Sequence, residues 1–367
     1  MKRILLITIA LAAIISCSKT TPSYELTGEI MISPVSENVT KSMMSSDIFQ
    51  GESFKVWSWY SPVKAQPNAI PAFQAGFAGA TPTTSIYVDE KPFVERDAAN
   101  NRWGGATPYY WPSTGSLIFA GYHAPNLAED QVDYIFTETE NKMTFSGVSN
   151  GTVADSGYAE DIMYFNMTPS SYNNSSLQVS MEFNHALSWI TVTLAKRVDP
   201  VIEADIIVEE VYFTSLVTKG NGTVNGSDEI AWSPVESIAS FKLPGLPLTV
   251  DYQVGEENGE KTYSPIVYKL QEHLFIPQDI TGVLGIKYTI KSDDESKFTE
   301  VYEVNLTELK DGKAHNKWNP SKHYTYNLSI GTDEILVTPT VGEWASVGTD
   351  ILIPLPDDAY DNLENNN

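Results

Sequence analysis

The chain has 367 residues, with 23 Lys plus Arg against 47 Asp plus Glu and a formal net charge of −24. That balance excludes nucleic acid and anionic lipid as partners held by charge. A single cysteine, Cys17, excludes a disulfide framework, and a chain of this size buries about 75% of its unfolded surface, typically as two domains.

Residues 1–16 read as a secretion signal. Lys2 and Arg3 form the charged start, and residues 4–15 are almost wholly apolar but short for a membrane span. Ile14-Ile15-Ser16-Cys17 fits a bacterial lipobox, so Cys17 is the expected lipid attachment point. Several acyl chains on one cysteine anchor stably, which predicts an outer-membrane lipoprotein at the cell surface. Residues 18–21 form a polar tether. Residues 24–35 predict a first strand with Leu26, Ile30 and Ile32 in one phase. Residues 38–46 form a polar loop that contains Lys41.

Residues 54–60 alternate cleanly, with Phe54 and Val56 on one face and Trp57 and Trp59 on the other. One face is expected to be core. The other is expected to lie under the Pro-, Ala- and Gly-rich excursion of residues 61–84. Residues 85–94 predict a strand carrying Pro92 at a sheet edge. Strands are predicted at 116–122, 132–145 and 161–167.

Residues 177–194 look like a seam. Leu177, Val179, Met181, Phe183, His185, Leu187 and Trp189 alternate with polar residues, and then the phase flips to Ile190, Val192 and Leu194. One extra residue in a strand produces such a flip, so a bulge is expected near residues 188–190, in the first strand of a second domain. The boundary is placed at 174/175, in a Ser-, Tyr- and Asn-rich stretch. Residues 206–217 predict a long strand closed by Gly220-Asn221-Gly222. Asn258-Gly259 between two alternating runs predicts a hairpin. Further strands are expected at 273–276, 285–290, 298–306, 323–330, 336–344 and 349–355. Residues 357–367 read as a disordered acidic tail. Strands at this spacing, with no amphipathic helix longer than two turns, predict an all-β protein of the sandwich or barrel type.

Four stretches resemble the fimbrillin family of Bacteroidetes pili, including its Mfa-like branch. They are Tyr110-Trp111-Pro112 with Leu117, Phe119, Tyr122 and Pro125; Asp161-Ile162-Met163; Phe183-Asn184-His185-Ala186-Leu187-Ser188; and residues 318–326 with Trp344. The resemblance implies two transthyretin-like β-sandwich domains in tandem, residues 17–174 and 175–356. It implies a fimbrial subunit whose partners are other subunits, joined by strand exchange. A terminal strand of one subunit would complete the sheet of the next. Leu26, Ile30 and Ile32 are the candidate resident strand, and Ile351, Ile353 and Leu355 the candidate donor. Two residues depart from the family's pattern. Its stalk subunits are matured at an arginine, whereas arginine occurs in the mature chain only at 96, 102 and 197, leaving Lys41 as the candidate processing site. Ser321 also stands where glycine is expected.

Catalytic, cofactor and metal sites are not expected. Among His123, His185, His273, His315 and His323, none pairs with another ligand at zinc-like spacing. His185 reads as a core histidine. Glu160-Asp161 and Asp293-Asp294-Glu295 read as solvated turns, since adjacent carboxylates on a strand face opposite ways and the second run lacks calcium-loop spacing. The aromatic group Trp57, Trp59, Trp103, Tyr109 and Trp111 supports an alternative, a lipid-anchored glycan-binding surface module of a nutrient-uptake system; on either reading a host or bacterial surface glycan or protein is a candidate partner. Exposure of Trp57, Trp59 and Trp103 in one row would favour it. A lipid-anchored hydrolase would need converging carboxylates or a Ser–His pair.

Overall fold

A computed structural model describes residues 26–36, 53–61, 86–97, 102–112, 116–136, 141–152, 161–170, 178–198, 204–226, 229–291, 297–306, 317–331 and 335–343. They are all-β, as expected, apart from one 3-10 turn at Glu129–Gln131.

Seven strands close on one another as a barrel. In order around it they are Met163–Ser170, Gln178–His185, Met31–Ser36, Arg102–Gly105, Ile86–Asp97, Phe54–Ser61 and Ser116–His123. The alternation read in the sequence points Phe54 and Val56 inward. There they meet Ile30, Ile32, Phe93, Trp103, Phe119, Met181 and Phe183 in one core. Aromatic rings fill the centre, with Phe54 5.4 Å from Trp103 and 5.2 Å from Phe183 between centroids. Pro92 does not lie at an edge. Its strand has partners on both sides. The missing N–H is tolerated beside a bulge, where the register shifts and Glu90 takes φ +46°.

Two further sheets face each other. One contains Gly151–Thr152, His273–Phe275, Ser188–Lys196, Lys322–Ile330 and Ile335–Glu343, with Tyr268–Lys269 beside it. The other runs Lys297–Asn305, Val283–Lys291, Asp205–Asn225, Asn141–Ser149 and Val132–Phe136. Ala231–Lys242 and Leu248–Val250 also pair along the 205–225 strand. Val192, Leu194, Phe213, Ile286, Trp318 and Tyr326 lie in the core between them.

The seam is not one bulged strand. Gln178–His185 ends in the barrel, where His185 pairs with Met163. After a bend at Ala186 and Leu187, Ser188–Lys196 starts in the sandwich, where Ser188 pairs with Phe275. The phase flips because the chain changes sheets, and a change of sheet re-aims side chains just as a bulge does. Strands 132–136, 141–149 and 151–152 also leave the barrel and complete the sandwich sheets, for example through Lys219↔Ser149 and Gly151↔Leu274. The run predicted as one strand at 132–145 is therefore a hairpin.

The 205–225 strand runs straight through Gly220-Asn221-Gly222 instead of turning there. Gly222 marks a close approach: a Cβ there would lie 2.7 Å from the Ile230 side chain and 3.2 Å from that of Trp232. The turn comes at Gly226, with φ +57°. The Asn258-Gly259 hairpin forms as expected. Glu257 pairs with Glu260, and both turn residues have positive φ.

Candidate functional site

Two neighbouring features stand out, the slot that holds the N-terminal strand and the point where the chain crosses from barrel to sandwich.

The predicted first strand is two short ones. Leu26–Glu29 pairs with Tyr110–Pro112, and the Ile30 N–H then donates to the Tyr109 carbonyl at 2.7 Å. Met31–Ser36 continues into the barrel and lies parallel to Gln178–Phe183 over six residue pairs. On its other side it makes a single bridge, Ile32↔Trp103. Ile30 and Ile32 are both fully buried. Burying each such side chain contributes roughly 1.5–3 kcal/mol. This segment therefore closes the barrel and fills its core, with its longest ladder along residues 178–183.

At the crossing, three of the sequence stretches meet. His185 Nδ1 lies 2.5 Å from Asp161 Oδ2, and both residues are buried. Asp161 is thus no solvated turn. It precedes the buried run Ile162-Met163-Tyr164-Phe165, and the strand carries it inward. The apolar run directly after it was the available signal. Its other oxygen, Oδ1, has no hydrogen-bond partner among the described residues. The Ala186 N–H donates to the Ile162 carbonyl at 2.8 Å, and Trp232 Nε1 donates to the Ala186 carbonyl at 2.9 Å. From the sandwich side, the Ser321 N–H donates to the Leu187 carbonyl at 3.1 Å. The Ser321 hydroxyl donates to the His185 carbonyl at 2.9 Å. Ser188 Oγ donates to the Asn319 carbonyl at 2.8 Å. Ser321 has φ +57°, the left-handed region that favours glycine.

Beside the crossing, His323 stacks on Trp189 at 4.1 Å between ring centroids. Its Nε2 lies 2.8 Å from Thr191 Oγ1, which donates to Glu272 at 2.6 Å. Burial pushes the His323 pKa down to about 4, with Glu272 opposing and Lys269 adding to the shift. The imidazole is neutral at ordinary pH.

The tryptophans do not form an exposed row. Trp57, Trp59, Trp103 and Trp111 are all buried. Trp57 and Trp59 pack on Tyr134, with ring centroids 5.3 and 4.9 Å away, in a core shared between barrel and sandwich. Tyr134 and Phe136 pack on them because the strand's second face meets the sandwich, and the 61–84 excursion expected over that face lies, apart from Ser61, outside the described residues. Trp103 belongs to the separate barrel core. The observation that would have favoured glycan capture is thus reversed.

Cys17, Lys41, Ile351, Ile353 and Leu355 lie outside the described residues, as does the side chain of Leu26. Among the described residues, no group of three or more His, Cys, Asp and Glu side chains could hold a metal ion, and no helix is long and apolar enough to cross a membrane.

A family model described as fimbrillin-like matches residues 46–344. The crystal structure of a fimbrial protein from Bacteroides vulgatus superposes with a TM-score of 0.56 at 16% identity, covering 87% of this chain and all of that one. The tip fimbrial protein Mfa3 from Porphyromonas gingivalis, truncated at its C-terminus, aligns over 86% of this chain and all of its own, with a TM-score of 0.37 at 9% identity. None of the curated protein sequences matches the chain.

Proposed function

The chain belongs to the fimbrillin-like family, and from that premise we propose that it is a non-catalytic subunit of a cell-surface fimbrium, joined to its neighbours by strand exchange and supporting adhesion. The slot carries this reading. Met31–Ser36 is the strand whose loss would open the barrel, because it has six pairs on one side and one bridge on the other. Removing residues 30–36 would expose the backbone edge of residues 178–183 and two apolar pockets vacated by Ile30 and Ile32. An incoming strand with alternate apolar side chains satisfies both needs. Ile351, Ile353 and Leu355 have that spacing.

Two units are proposed, with the sequence boundary expected at 174/175, although residues 132–152, which precede it, pair into the sandwich sheets. In strand pairing the change from barrel to sandwich falls at Ala186-Leu187. The lipobox at Cys17 supports an outer-membrane anchor. With Lys41 in place of an arginine, the resident strand stays in its slot unless a lysine-directed protease acts. The protein then sits at an end of a fimbria, not within a long stalk.

Trimming tests the reading. Mature protein should be cut after Lys41 in vitro, checked by circular dichroism for retained β-structure, and incubated at high concentration. Ladders that resist detergent are expected from the trimmed form only. Folded, trimmed protein that stays monomeric would refute strand exchange.

A further inference from the structure

The N-terminal strand and the strand beneath it point the same way. Met31–Ser36 is parallel to Gln178–Phe183 through six pairs. The same chain then passes Ala186 and Leu187 into Ser188–Lys196, whose neighbour Lys322–Ile330 is also parallel, through eight pairs. Residues 178–196 thus form one backbone track, flanked by a parallel strand in each half of the molecule.

Polarity decides how such pairs respond to force. Met31 lies at the end of the 178–185 strand away from the crossing, since it pairs with Gln178 while His185 stands at the crossing. A pull on the N-terminus, directed away from the sandwich, therefore runs along the axis of residues 31–36. Every pair is loaded together in shear, and the bonds must fail nearly at once. Pulled sideways from Met31, the same strand would peel, one pair after another, at lower force. Ile30 and Ile32, fully buried among aromatic rings, add an interlock that shear must also drag out.

Load that passes into residues 178–185 must then cross two residues. Those two are tied from both halves. The Ile162 carbonyl holds Ala186 from the barrel, and Trp232 and Ser321 hold Ala186, Leu187 and His185 from the sandwich. The Asp161–His185 pair fixes the last barrel residue. We infer that the chain is a tension-bearing element, in which residues 31–36, 178–196 and 322–330 form a shear-loaded path from the N-terminus into the sandwich, with a pinned joint between. The source of tension rests on the fimbrial reading. The mechanical asymmetry does not.

Force spectroscopy on the mature chain carrying Cys17→Ser separates the two. Ser23→Cys supplies one attachment point. Lys291→Cys supplies the second for the shear geometry, because Lys291 pairs with Asp205 at the sandwich end away from the crossing. Ile86→Cys supplies it for the peeling geometry, because Ile86 is exposed on the barrel rim away from the crossing. A several-fold higher rupture force is expected for the Ser23–Lys291 pair than for the Ser23–Ile86 pair. Equal or lower force in the shear geometry would overturn the inference. Failure of the fimbrial reading would appear instead as the absence of detergent-resistant ladders, with this force ratio unchanged.

Discussion

Ser321 donates its hydroxyl to the carbonyl of His185, 136 residues earlier in the chain, while holding φ at +57°. The left-handed conformation costs a non-glycine residue about 1–2 kcal/mol, and a hydrogen bond returns about 1 kcal/mol. Ser321→Gly removes strain and bond together and should leave stability nearly unchanged. Ser321→Ala keeps the strain, loses the bond, and should destabilise by about 1 kcal/mol. Urea midpoints of the two variants check this. An Ala variant as stable as the Gly variant would remove the hydroxyl's role.

Asp161 and His185 should behave as a coupled pair. Asp161→Ala removes one partner of a buried hydrogen bond, which typically costs about 1–3 kcal/mol. His185→Ala should cost similarly, and the double variant less than the sum of the two. A double-mutant cycle should return a coupling of about 1–3 kcal/mol. Additive costs would mean that the contact is incidental to the crossing.

His323 makes stability depend on pH. Its pKa is about 4 in the fold, held down chiefly by burial, against about 6.5 in the unfolded chain. Between these values the unfolded chain binds a proton that the folded chain does not. Stability is therefore fully present above pH 6.5 and is lost as pH falls toward 4. The difference corresponds to up to about 3 kcal/mol. His323→Gln should flatten the drop in urea midpoint between pH 7.5 and 4.5. An unchanged drop would assign it to other groups.

Cys17 should decide where the protein is found. Cys17→Ser removes the only thiol to which a lipid could attach. The variant should leave the membrane pellet or accumulate as unprocessed precursor. A mature variant that still pellets with membranes would exclude lipidation at this residue.

The sequence showed where strands lie better than which strands meet. Alternation at Phe54–Tyr60 located both faces, because each is buried against a different core and neither needed a partner to be named. The phase flip after Trp189 was visible, but a bulge and a crossing between sheets shift side chains alike, so only pairing distinguishes them. Ala231–Lys242 was missed. Nearly all its side chains are exposed, and a strand without a buried face has no period to read. Asp161 was misread because a carboxylate beside Glu160 resembles a turn, and its partner stands 24 residues away. The glycine expected at 321 was inferred from family resemblance alone. The positive φ there gives the preference its physical cause.

The slot strand should open before the rest of the fold. Ile32 is fully buried and forms the only bridge between its strand and Arg102–Gly105. Ile32→Ala removes core volume where a single pairing secures that flank, and such truncations cost about 2–5 kcal/mol. That loss need not spread evenly. The 178–185 strand meets its other barrel neighbour at Met163↔His185 and Tyr164↔Asn184, at the crossing end. When residues 31–36 leave, the amides of 178–183 therefore lose the parallel ladder that pairs them, while Ile32 belongs to a core separate from that of the sandwich. Hydrogen exchange in Ile32→Ala should rise at residues 31–36 and 178–183 and remain slow in 189–196 and 323–330. The same variant, left untrimmed, should begin to form ladders that the native chain does not form. Uniformly faster exchange would mean that the strand is part of one cooperative fold and cannot be released without unfolding the whole, and exchange of that strand between subunits would then have no physical route.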